Sequence, residues 1–160
     1  MNKFLATFIT LLIIGCSDDG ISVPPDIAIQ KLLAAPDSVI VENRKLFLST
    51  YMWRDFQPVS PENGKPLVAI VYVTAVDSMQ LSPNISADGI WVIYNNQVWK
   101  SWLSSESTPP GTKSNCLVKF AREGPKWGPN VFVDVIVRVT NGNGGSQLLR
   151  SSRQYIDRTD

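Results

Sequence analysis

Val131-Phe132-Val133-Asp134-Val135-Ile136-Val137-Arg138-Val139-Thr140 carries valine at every odd position from 131 to 139. In an extended chain successive side chains point to opposite faces. All the valines therefore share one side, and Phe132, Asp134, Ile136 and Arg138 share the other. One side is core, and the segment reads as a strand.

Working outward, Asn141-Gly142-Asn143-Gly144-Gly145-Ser146 turns the chain into a further strand, Gln147 to Ile156. Upstream, Gly124-Pro125-Lys126-Trp127-Gly128-Pro129 is a rigid turn after a strand from Cys116 to Arg122, and Ser104 to Ser114, with Pro109-Pro110-Gly111, is a loop. Ile90 to Tyr94 and Gln97 to Trp102 flank Asn95-Asn96, a pair that tolerates the positive φ of a two-residue hairpin turn. Leu67 to Val76 is apolar on both faces except at Thr74, as in a central strand covered from both sides. Ser38 to Glu42 and Lys45 to Phe56, parted at Asn43, are rich in branched and aromatic residues and read as strands. Asp26 to Ala35 has Ile29, Leu32 and Leu33 on one helical face and stops at Pro36.

About eight strands without a sustained helix predict an all-β domain, an antiparallel sandwich. In strand count and spacing it resembles the immunoglobulin-like fold, although the paired cysteines of true immunoglobulin domains are missing. A small closed β-barrel is the alternative.

The N-terminus has a different character. Lys3 is followed by an apolar run from Phe4 to Ile14, then Gly15 and Cys16. As a helix the run covers only about half of a roughly 30 Å hydrocarbon core, too short to span it. Ile13-Ile14-Gly15-Cys16 resembles the end of a bacterial lipoprotein signal, with Ile13 where that family prefers Leu. The resemblance implies cleavage before Cys16, a diacylglycerol thioether on Cys16 and a further acyl chain on the new amino group, which together anchor a protein stably. Residues 1–15 are then the signal peptide, 16–36 a lipidated cysteine and tether with a possible short helix, and 37–160 the β-sandwich domain. Ser17, in place of the Asp that resembles an inner-membrane retention signal, implies the outer membrane of a Gram-negative bacterium. Ser17-Asp18-Asp19 resembles an acidic tag that sends lipoproteins to the outer face in one such lineage. Asp37-Ser38-Val39 and Asp77-Ser78-Met79 resemble that lineage's O-glycosylation sites, which makes Ser38 and Ser78 candidates for modification.

Composition narrows the chemistry. The 160 residues carry 15 Lys and Arg against 14 Asp and Glu, so nothing points to nucleic acid. There is no histidine, which removes Ser-His-Asp and Cys-His catalysis and the commonest metal ligand. A carboxylate pair drawn from Asp55, Asp77, Asp88, Glu106, Glu123 and Asp134 is conceivable only if the fold converges two of them, and solvated faces are the default. These residues lack calcium-loop spacing. Gly142, Gly144 and Gly145 lead into a strand rather than a helix, so they are not a phosphate loop. With Cys16 lipidated, Cys116 has no disulfide partner and is expected to be a buried, inert thiol. No catalytic residue, metal or cofactor is expected beyond the covalent lipid, and the chain does not read as an enzyme.

Tryptophan is the remaining signal, at 53, 91, 99, 102 and 127. Two or three belong in the core. Trp53, near a strand end, and Trp127, between Gly-Pro turns, are expected to be the accessible pair, with Arg54, Arg122 and Lys126 supplying hydrogen bonds or cation–π contacts. The expectation is a lipid-anchored envelope protein that binds or scaffolds another protein, with strand addition at a sheet edge as one route. Glycan binding through Trp53 and Trp127 is the alternative.

Overall fold

Residues 24–160 are described by the structure, a computed structural model. In chain order they form α1 (Ile29–Leu33), β1 (Ser38–Val41), β2 (Arg44–Asp55), β3 (Leu67–Ala75), β4 (Ser86–Tyr94), β5 (Gln97–Trp102), β6 (Cys116–Gly124), β7 (Val131–Thr140) and β8 (Ser146–Thr159). The signal-like segment, Cys16 and Ser17-Asp18-Asp19 lie outside the described residues.

Two asparagine turns set the hairpins. Glu42 (φ 48°) and Asn43 (φ 60°) join β1 to β2, and Asn95 (φ 46°) and Asn96 (φ 62°) join β4 to β5. Positive φ at both central residues matches the twist of the flanking strands. The strands follow the path β5-β4-β7-β8-β2-β3-β6, with β1 paired to β2. The fold is all-β, a curled sheet shaped as a half-barrel around one core. The odd valines 133–139 of β7 meet Leu46, Leu48 and Met52 of β2, Val71 and Val73 of β3, and Ile90 and Val92 of β4 there.

Two expectations are corrected. The sheet is mixed rather than purely antiparallel, because Met52–Asp55 of β2 pairs in parallel with Ile156–Thr159 of β8. The cause lies in β8, where the register to β7 slips between Val133↔Gln154 and Val135↔Ser151 and Arg153 takes φ 52°. Such a bulge bends its strand, and here the far half of β8 reaches β2 while keeping β7. The barrel alternative fails because the ends of the path are joined by an isolated bridge, Ser104 to Phe120, not by a ladder.

From Pro24 onward, the stretch expected to hold tether and a short helix packs on the sheet. Leu32 of α1 is fully buried against Trp91, Ile93 and Ile136, with Ile27, Ile29 and Leu33 around it. Trp91 Nε1 donates to the Pro25 carbonyl at 3.3 Å, the Arg150 amide donates to the Pro36 carbonyl at 2.8 Å, and the Arg150 guanidinium holds the Leu33 carbonyl. A helix this short is marginal alone. Its apolar face has a surface to meet, so residues 24–36 belong to the folded body.

Candidate functional site

The curled sheet has two outward surfaces, and among the described residues α1 lies over one of them. On the β4–β7 side, α1 lies over Trp91, Ile93 and Ile136. On the other side, strand alternation turns Phe47, Ser49, Tyr51 and Trp53 of β2 outward. Register aligns them in rows across β3 and β6: Phe47 with Thr74 and Cys116, Ser49 with Tyr72 and Val118, Tyr51 with Ile70 and Phe120. Ile70, Val118 and Phe120 are buried under Trp53, Tyr72 and Cys116. Phe47 and Tyr51 stay 39% and 44% exposed. Tyr51 and Trp53 stack with centroids 5.2 Å apart and planes at 24°.

This aromatic surface continues around the curl. Tyr155 precedes Ile156, which pairs with Met52, so it stands level with Tyr51. Its ring lies 5.3 Å from exposed Phe132, and Arg153 sits 5.0 Å over Phe132.

A loop walls one end of the face. Glu106 accepts from Arg122 Nε and Nη2 at 2.8 and 2.6 Å, Lys119 Nζ donates to Ser105 Oγ at 2.7 Å, and Asn115 Nδ2 donates to the Ala75 and Asp77 carbonyls at 2.9 and 2.8 Å. The Arg122 hydrogen bond holds the Glu106 carboxyl below its ordinary range, so it stays ionised at neutral pH. Pro109-Pro110-Gly111 is thereby held beside β2 and β3, and a cleft of about 340 Å³ opens, lined among others by Ser49, Tyr72, Thr74, Thr112, Lys113 and Cys116. Burial, with smaller contributions from Cys116 and Tyr51, raises the Tyr72 pKa, so its phenol remains a neutral donor. Cys116 is half-buried on the cleft wall rather than in the core, and the Thr74 hydroxyl donates to its Sγ at 3.3 Å.

The expected ligand residues do not converge. Trp53 belongs to the outer face, whereas half-buried Trp127 packs on the inner core, tilted against Tyr94 at 5.5 Å with Nε1 donating to Gln97 Oε1 at 2.9 Å. The most exposed tryptophan is Trp102, at 38%. Arg54 is 2% exposed and donates to main-chain carbonyls, so it is structural. Arg122 is paired with Glu106. Lys126 is exposed, with its carbonyl held by Arg54.

The carboxylates also disperse. Asp55, Asp77, Asp88, Glu106 and Asp134 pair with Lys65, Arg44, Arg138, Arg122 and Arg150 respectively. Ser38 opens β1 half-buried, and Ser78 is exposed in the loop after Asp77. Phe47, Tyr51 and Tyr72 escaped the sequence reading, although a period-two reading of Lys45 to Trp53 puts three aromatics on one face. Comparison of the chain with protein-family models, curated proteins and solved structures finds no match.

Proposed function

We propose that this chain is a lipid-anchored protein of the Gram-negative outer membrane that works as a protein-interaction or scaffolding module, docking its partner on the outward face of β2, β3 and β6. One contrast carries the reading: two outward faces are apolar, and among the described residues α1 covers one while Phe47 and Tyr51 of the other stay exposed beside half-buried Trp53. Grouped exposed aromatics are characteristic of interaction surfaces, and Tyr and Trp are frequent energetic anchors. The adjoining cleft suits one side chain of the partner. The anchor rests on the Lys3 to Cys16 pattern. The reading assigns no catalysis, no cofactor beyond the lipid and no nucleic acid.

A photo-crosslinking residue placed at Tyr51 of the full-length protein in intact cells tests this, with Val59, an 87% exposed loop residue, as control. The expected result is one discrete protein adduct from position 51 and none of that mass from position 59. Identical patterns from both, or no adduct from position 51, overturn it. A glycan is the second reading, favoured by the stacked Tyr51–Trp53 pair beside the hydroxyl-lined cleft. It would appear at position 51 as a ladder of saccharide masses instead of one protein.

A further inference from the structure

We infer that the outward side of β5, where the described chain begins at Pro24, rests against the lipid surface with Trp102 at the bilayer interface. This builds on the lipid anchor at Cys16.

The start of the described chain is pinned. Pro24 Cβ would lie 3.6 Å from a Cβ at Gly89, and Gly89 is the cross-strand partner of Trp102. The next residues stay on the same side: the Pro25 carbonyl accepts from Trp91 Nε1, and Asp26 pairs with Lys100 Nζ at 2.6 Å. Eight residue steps separate Cys16 from Pro24, at most about 28 Å of fully extended chain. A lipid on Cys16 therefore keeps this pole within about 28 Å of the anchored cysteine.

The pole has suitable chemistry. Alternation along β5 turns Val98, Lys100 and Trp102 outward together, and both Val98 and Trp102 are exposed. The Trp102 ring lies 5.4 Å from the Arg138 guanidinium, which is fixed by a two-pronged pair with Asp88 at 2.7 and 2.9 Å. An indole with an apolar body and a polar edge favours the membrane–water boundary, and a lysine beside it can extend its ammonium toward water.

The test uses the full-length lipidated protein in phosphatidylethanolamine–phosphatidylglycerol vesicles whose lipids carry bromine high on the acyl chain, where it quenches interfacial tryptophan. The expected result is partial quenching of the wild type, most of it lost in Trp102→Phe and retained in Trp53→Phe. Unchanged quenching in Trp102→Phe, or loss in Trp53→Phe, while the protein still floats with the vesicles, overturns the orientation and leaves the anchor standing. Failure of the wild type to float, or flotation of Cys16→Ser equal to it, overturns the anchor itself.

Discussion

Replacing Arg54 with alanine is expected to destabilise the domain by about 3–5 kcal/mol, because one charged donor that serves several main-chain carbonyls is lost at once. Arg54 occupies an inward position at the end of β2, where two loops close over it. Its Nε donates to the Lys65 carbonyl at 3.0 Å, Nη1 to the Lys126 and Trp127 carbonyls at 3.2 and 2.8 Å, and Nη2 to the Asn63 carbonyl. The Phe56 ring lies 4.9 Å below the guanidinium. Burial lowers the Arg54 pKa, yet arginine starts far enough above neutrality to stay charged. Alanine leaves these carbonyls without their donor, and each unsatisfied buried group costs about 1–3 kcal/mol. Lysine recovers little, because a single ammonium cannot reproduce the planar fork. Equilibrium urea unfolding followed by tryptophan fluorescence measures the change. A loss below about 1 kcal/mol, the ordinary worth of one hydrogen bond, shows that water replaces the guanidinium.

Trp91→Ala is the second large effect, about 3–5 kcal/mol for truncating a buried aromatic. Its consequence is directional. Trp91 is 1% exposed, packs with Leu32 and donates to the Pro25 carbonyl, so its loss removes both the apolar floor under α1 and a main-chain tie. Amide hydrogen exchange of residues 29–35 is expected to quicken more than that of β2 and β3. Trp91→Phe keeps most of the packing and loses the hydrogen bond, at about 1 kcal/mol. Uniform quickening throughout the domain shows that α1 is not held locally by this residue.

Local patterns were readable in the sequence, and contacts between distant segments were not. The strand from Val131 was legible because period two with one buried face is a local pattern, and the β4–β5 hairpin because asparagine tolerates the backbone that its turn demands. The parallel β2–β8 pair was not, since it depends on a bulge at Arg153 that has no signature in its neighbours. Arg54, written between Trp53 and Asp55, looks like a surface residue. Its burial follows from loops at 57–66 and 125–130 meeting above it, a contact between segments far apart in sequence. Trp53 and Trp127 were chosen for their turns and strand ends, whereas exposure depends on what lies over each ring. Ile29 and Leu32 announced an apolar face but not the Trp91–Ile136 surface that receives it. The candidate carboxylates read as solvated, and five of the six, all but Glu123, stand in separate ion pairs.

The central claim is that the aromatic face of β2, β3 and β6, open among the described residues, is occupied in the cell. The most direct measurement is covalent footprinting of Phe47, Tyr51 and Trp53 in the purified full-length protein and in intact cells, with exposed Val59 and Val76 as internal references. The expected result is ready labelling of the three aromatics in the purified protein and strong protection in cells, with Val59 and Val76 labelled alike in both. Equal labelling of the aromatics in the two settings contradicts the claim.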